Sequence, residues 1–259
     1  MTAPASDKVT HETITWIHPW TSHLFSFRTT RPTGFRFTAG QFARLGVTKE
    51  DGSVAWRAYS MVSGPYDEFL EFYSIVVPGG EFTSELSRLK VGDTLLVDKQ
   101  NHGFLTLSRF TGGRDLWLLS TGTGLAPFLS ILADPHAWET FEAIILVHSV
   151  RSEEELAYRQ TIQGFSAHAL FAEQAHKLRY IPVITRQQVP GTLGERITRL
   201  IESGGLERAA GRSLDLDNSR IMLCGNPEMV DETRAVLKSK GFRTSRQSSP
   251  GQIAVENYW

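Results

Sequence analysis

The hydrophobic rhythm of this 259-residue chain changes at Thr111-Gly112-Gly113, and that change limits the folds open to it. On the C-terminal side, Leu116-Trp117-Leu118-Leu119 and Ile144-Ile145-Leu146-Val147 are unbroken apolar runs. A strand that is apolar at consecutive positions is covered on both faces, the condition met in parallel sheets flanked by helices. A helical stretch over 127–132 separates the two runs, and Ser152 with Glu155 makes a capping-box pattern that predicts another helix after it. Further strands are expected at 180–185 and 221–223, with a helix over 227–240. This alternation predicts a doubly wound parallel α/β sheet.

The N-terminal side reads differently. Short strands are expected at 13–17, 24–28, 41–45, 54–61, 70–77 and 94–97, with a short helix over 83–88. Between them stand turn residues such as Arg31-Pro32-Thr33-Gly34, Asp51-Gly52, Pro78-Gly79-Gly80 and Gly92-Asp93. Short strands at close spacing predict an antiparallel barrel or sandwich. Two domains follow, 1–110 and 111–259.

Composition removes several functions. Basic and acidic residues number 27 and 28, so no global field favours nucleic acid. One cysteine excludes an internal disulfide and any four-cysteine cluster within the chain. The eight histidines show no metal-ligand spacing, and no metal is expected. Apolar runs such as 143–147 are far shorter than the roughly 20 residues a membrane helix needs, and MTAPASD lacks the apolar core of a secretory signal. A cytoplasmic protein with no membrane role is expected.

The turn Thr121-Gly122-Thr123-Gly124-Leu125-Ala126-Pro127 directly follows the first buried strand. Glycines there let the backbone approach a pyrophosphate, while Pro127 in place of a third glycine suits a first helical turn. A plain strand-to-helix turn would look the same. After the second strand, where an acidic residue would meet an unphosphorylated ribose, the chain reads His148-Ser149-Val150-Arg151. Thr185-Arg186 and Arg196 come later. Arginine forks grip phosphates, so this set favours NADP over NAD, although a single arginine is usually a solvated surface residue.

Arg57-Ala58-Tyr59-Ser60 lies in an expected strand, where alternation puts Arg57 and Tyr59 on one face and Ala58 and Ser60 on the other. Such a group can bind a phosphate, cover a flat ring and donate to a ring nitrogen, or be an ordinary exposed strand. Gly79-Gly80-Glu81-Phe82-Thr83-Ser84 opens the short helix as a second candidate phosphate cradle. Cys224-Gly225-Asn226-Pro227 follows the last buried strand, at the edge where such sheets bind ligands. Cys224 is either a small buried apolar residue or part of a surface that a flat ring approaches. The chain ends Val255-Glu256-Asn257-Tyr258-Trp259, whose aromatics need a pocket, a ligand or a docked terminal strand.

These pieces in this order resemble the ferredoxin–NADP reductase family, in its bacterial flavodoxin/ferredoxin branch, from about Val9 to Trp259. The resemblance implies an antiparallel FAD-binding barrel followed by an NADP-binding α/β domain. By it, Tyr59 covers one face of the flavin, Ser60 sits near N5, and Arg57 pairs with the FAD pyrophosphate beside Gly80, Glu81, Phe82 and Thr83. Tyr73, Ser74, Ile75 and Val76 match the strand lining the flavin ribityl and ribose. Thr121, Gly122, Thr123 and Gly124 would hold the NADP pyrophosphate, with Gly225 and Asn226 on the nicotinamide side. Arg151, Thr185, Arg186 and Arg196 would surround the 2′-phosphate. Tyr258 would lie on the other flavin face, Trp259 on the adenine, and Glu256 would relay a proton.

The implied reaction is hydride transfer between NADPH and FAD, coupled to one-electron exchange with ferredoxin or flavodoxin, with Ser60 and Cys224 flanking the reacting atoms. The resemblance also favours a monomer. The basic residues Arg234, Lys238, Lys240, Arg243 and Arg246 would steer an acidic carrier or simply solvate a helix end. A flavin reductase feeding an oxygenase and a non-catalytic flavin-binding sensor or regulatory subunit are the other readings.

Overall fold

The computed structural model describes residues 8–246 and 248–257. The expected roles of Tyr258 and Trp259 fall outside these residues. The first sheet is built from β1 (Val9–Pro19), β2 (Leu24–Thr30), β3 (Phe42–Thr48), β4 (Val54–Ser60), β5 (Phe69–Ile75) and β6 (Thr94–His102), with α1 (Glu81–Leu86) between the last two. These six strands pair antiparallel in the order β4-β3-β6-β1-β2-β5. The barrel closes just past β4, where Met61 bridges Phe72 and Val62 N donates to Glu71 O at 2.7 Å. Its interior holds Phe27, Leu45, Leu70, Phe72 and Leu95, all at most 1% exposed.

Strand β5 departs from the half-solvated pattern of an antiparallel strand. Leu70 and Phe72 fill the barrel, while Glu71 and Tyr73 are buried on its opposite face. Something must cover that face, and the second half of the chain does so.

That half carries β7 (Asp115–Thr121), α2 (Ala126–Leu132), α3 (Pro135–Thr140), β8 (Ala143–Val150), α4 (Arg159–Gly164), β9 (Leu178–Ile184), α5 (Ile197–Glu202), α6 (Gly205–Ala210), β10 (Ser219–Gly225), α7 (Pro227–Ser239) and β11 (Ile253–Asn257). The five strands are parallel, in the order β11-β10-β7-β8-β9. Every residue of β8 and β10 is buried, as their apolar runs require. One face sets Leu116, Leu118, Ile144 and Met222 into a core shared with Leu24, Val62, Tyr73 and Leu105 of the barrel half. The other sets Trp117, Leu119, Ile145 and Leu223 against α5 and α7. Strand order reverses between β7 and β10, which makes the crevice at their carboxyl ends the place for a ligand.

The helix expected after Ser152 is not there. Glu153–Glu155 forms a single 3₁₀ turn, and the Ser152 side chain makes no capping bond. Glu155 Oε2 instead accepts from Arg151 N at 2.9 Å, upstream of the cap position. Leu156 then leaves helical geometry with ψ of 62°, and α4 begins only after Tyr158 at φ of 60°. The helix expected over 83–88 begins two residues earlier, at Glu81. No helix among the described residues is long and apolar enough to cross a membrane.

Candidate functional site: a cleft at the strand-order reversal

An open cleft of about 420 Å³ lies over the carboxyl ends of β7 and β10. Its wall includes Thr121, Gly122, Thr123, Arg151, Thr185, Arg186, Arg196, Gly225 and Asn226, residues spread over a hundred positions of sequence. Leu24 and Ile75 line it from the barrel side. The two turns at its floor are locked together by glycines. A Cβ on Gly124 would stand 2.4 Å from Cys224 O, and one on Gly225, at φ of 135°, would stand 2.2 Å from Thr121 Oγ1. Thr121 Oγ1 accepts from Asn226 N at 2.8 Å, while Asn226 Oδ1 caps α7 by accepting from Glu228 N and Met229 N. The Asn226 side-chain oxygen is thereby occupied by the helix it starts. Gly124 itself is buried beneath the wall.

The arginines are brought together by backbone zipping between two strand ends. Thr185 N and Oγ1 both donate to Val150 O, and Arg186 N donates to Arg151 O at 3.0 Å. Arg151, Arg186 and Arg196 are all exposed and have no ion-pair partner among the described residues. Three unpaired guanidinium groups on one rim suit a phosphate dianion. Glu155, Glu228 and Glu232 stand on the same wall and confine that positive region. Glu228 and Glu232 carried no sequence signal, and Glu155 only that of a helix cap.

On the barrel side, Tyr59 is fixed by its hydroxyl, 2.8 Å from Ser74 Oγ, and by ring contacts with Phe27, Phe72 and Phe82. Burial pushes its hydroxyl up to about 12, with Ser74 and the nearby Arg57 charge acting the other way. Arg57 and Ala58 are both exposed, and the guanidinium of Arg57 donates to Trp56 O at 2.8 Å. Phe82 fills the barrel, whereas Thr83 Oγ1 accepts from Val77 N at 3.0 Å and folds the loop ahead of α1 back on itself. Glu81 opens that helix, and a Cβ on Gly80 would stand 2.8 Å from Thr83 Oγ1. Tyr73 and Ser74 are buried; of the strand Tyr73-Ser74-Ile75-Val76, Ile75 reaches the cleft wall.

Two groups suit a polar ring system. Ser60 Oγ and Glu256 Oε2 are sealed from water and have no hydrogen-bond partner among the described residues. Such groups are uncommon in a folded chain and ask for a ligand. Burial raises the Glu256 carboxyl to about 7, with Ser60 close enough to moderate the rise without reaching bonding geometry. Ser60, expected beside the flavin, and Glu256, expected to relay a proton, thus leave two buried polar atoms that fit the polar ring of FAD.

Cys224 is fully buried in the core shared by the two halves, and its carbonyl lies under Gly124. The sequence reading overlooked His148. Burial lowers it to about 4, so it is neutral near pH 7. Its Nε2 is 3.2 Å from Gly122 O, which can only accept, so the proton sits on Nε2 and steadies the nucleotide turn. A lone histidine ending an apolar strand gives little warning of this.

Comparison with known proteins agrees with both halves. Residues 15–100 match the family model of the oxidoreductase FAD-binding domain, and residues 118–235 that of the oxidoreductase NAD-binding domain. Ferredoxin–NADP reductase A of Sorangium cellulosum is 44% identical over 250 residues, covering 95% of this chain and 89% of that protein. Flavodoxin/ferredoxin–NADP reductase of Rhodobacter capsulatus is 38% identical over 257 residues, covering 98% and 94%. A crystal structure of a ferredoxin–NADP⁺ reductase from Neisseria gonorrhoeae, with bound FAD and NADP, superposes with a TM-score of 0.91 at 39% identity, over 98% of this chain and all of that one. Likeness of this extent, across both sheets and the cleft between them, assigns the chain to the ferredoxin–NADP reductase family.

Proposed function

We propose that this protein moves a hydride between NADPH and FAD and exchanges single electrons with ferredoxin or flavodoxin. The observation that carries this reading is the cleft, which sets a nucleotide turn, three unpaired arginines and a barrel strand around one space. Near-complete coverage by relatives named for the same reaction supports it. Bound FAD supplies the redox chemistry, because a flavin accepts an electron pair and can release it singly.

The chain supplies position. Thr121 to Thr123 and the amides of that turn bind the NADPH pyrophosphate, while Arg151, Arg186 and Arg196 hold the 2′-phosphate with Thr185 behind them. Tyr59, clamped by Ser74, presents its ring to the flavin. Arg57 and the turn at Gly80 to Thr83 hold the FAD pyrophosphate. Ser60 orients the flavin, and Glu256 Oε2 holds or gives up a proton near pH 7, where its carboxyl titrates. Cys224 backs the floor on which the nicotinamide rests, and Gly225 lets the ring come close.

The carrier does not meet the basic residues of α7's second half and of the chain just after it. That helix starts at the cleft and runs 13 residues away from it, about 20 Å at 1.5 Å per residue. Lys238 and Lys240 thus stand at the opposite edge of the sheet, and Arg234 is paired with Asp231 at 2.8 Å. The test is anaerobic reduction of flavodoxin or ferredoxin by NADPH with the FAD-loaded protein. Carrier reduction supports the proposal. Flavin reduction without transfer to either carrier would favour the oxygenase-feeding reading.

A further inference from the structure

Tyr158 is the one non-glycine residue with positive φ among the described residues, at 60°. A bulky residue held there stores strain that its surroundings must offset. The bend turns its side chain out of the parallel-sheet half and into the buried face of β5. Its hydroxyl donates to Glu71 Oε1 at 2.8 Å and lies 2.5 Å from Ser26 Oγ. Its ring is held between Trp20 and Tyr73, with centroids 4.9 and 5.4 Å away. Arg28 Nε takes the other carboxylate oxygen of Glu71 at 2.8 Å, and Trp20 Nε1 donates to Ser26 at 2.8 Å.

A second strut meets the first. Glu71 N donates to Ser63 Oγ at 3.0 Å, and Ser63 O accepts from Ser130 Oγ at 2.8 Å. Ser130 lies in α2, the helix that continues the nucleotide turn at Gly122. Tyr158 lies seven residues beyond Arg151 on the phosphate rim. Glu71 lies four residues before Ile75 on the cleft wall, in the strand bearing Ser74. Both struts therefore start at parts of the nucleotide site and end on one pair of barrel residues.

We infer that Tyr158, with Ser130 as its companion, is a positioning residue that sets the spacing between the NADPH and FAD sites through Glu71 and Ser63. General adhesion between the halves is already served by the apolar core they share. A strained residue that places one hydroxyl on one carboxylate adds registration. Hydride transfer demands reacting atoms held within roughly 3–3.5 Å, so a shift of a fraction of an ångström reaches the rate before it reaches binding.

This inference rests on the proposed hydride reaction, and the test separates the two. Tyr158→Phe keeps the ring and is made in the full, FAD-loaded chain. The limiting rate of flavin reduction at saturating NADPH is expected to fall roughly tenfold. Affinity for 2′,5′-ADP, which occupies only the nucleotide half, and FAD retention are expected to stay within about twofold. Ser26→Ala, which spares the Tyr158–Glu71 bond, is expected to keep the wild-type rate. A wild-type rate in Tyr158→Phe overturns the inference whatever its melting temperature, and so does a rate loss matched by an equal loss of 2′,5′-ADP affinity. If Tyr158→Phe fails to fold, Ser130→Ala is read instead, with about a threefold loss in rate expected and an unchanged rate overturning the inference. A wild-type protein that NADPH does not reduce would sink the proposed function instead. The seam is then judged by amide hydrogen exchange, where joint loss of protection in β5 and α2 on Tyr158→Phe supports it and unchanged exchange overturns it.

Discussion

Replacing Glu256 by Gln is expected to change how stability depends on pH, in a direction and by an amount that the fold dictates. The carboxyl is held at about 7 in the folded FAD-free chain against an ordinary value of 4.5, chiefly because burial disfavours its charge. The native state therefore keeps a proton that the unfolded chain gives up between these limits. Stability from this group is fullest below 4.5 and is lost as pH rises through 7. Integrated from pH 5 to pH 8, the two titrations differ by about 2.5 kcal/mol at 1.36 kcal/mol per pH unit. Glutamine has the same shape and no titration, so the variant gains that amount relative to wild type over the interval. Urea unfolding of both FAD-free proteins across the range reads it directly, since every other titration is common to the pair. A constant difference from pH 5 to 8 would mean that Glu256 ionises as it does in water, and its proton-holding role would go with that result.

Three further outcomes are expected. Gly124→Ala puts a methyl group 2.4 Å from Cys224 O and 2.6 Å from Gly225 Cα, so the two cleft turns must part. A cost of about 1–3 kcal/mol in urea unfolding is expected, with weakened 2′,5′-ADP binding, and a neutral effect would mean the turns are not packed as described. Arg186→Ala is expected to weaken NADPH about tenfold while leaving NADH unchanged, because only the 2′-phosphate meets this side chain. Equal losses would move the phosphate elsewhere. Lys238→Ala with Lys240→Ala is expected to leave flavodoxin reduction unchanged at low and high salt, and a clear loss at low salt would put the carrier at the far edge of the sheet.

What the sequence disclosed follows from what is local. A turn that needs glycine because a neighbouring carbonyl lies against it, as at Gly124 and Gly225, leaves a mark in a few consecutive letters. So do strands covered on both faces, such as β8. The arginines were readable as residues but not as a cluster, since the zipping of Thr185 and Arg186 onto Val150 and Arg151 joins strand ends 35 positions apart. The seam between the halves was illegible. Tyr158 meets Glu71 across 87 positions and Ser26 across 132, and nothing about a lone tyrosine announces a left-handed backbone. The capping pattern at Ser152 misled for a related reason. Glu155 bonds to Arg151 N, and the following chain bends away to deliver Tyr158 to the barrel.

If the barrel and the sheet bring two nucleotide cofactors into reactive contact, NADPH must reduce the bound flavin directly. The most direct measurement mixes the FAD-loaded protein with NADPH without oxygen and follows the visible flavin band in a stopped-flow instrument. Rapid bleaching with NADPH, much slower with NADH at equal concentration, is the predicted result. A band that persists under saturating NADPH, in protein that binds both FAD and 2′,5′-ADP, would contradict it.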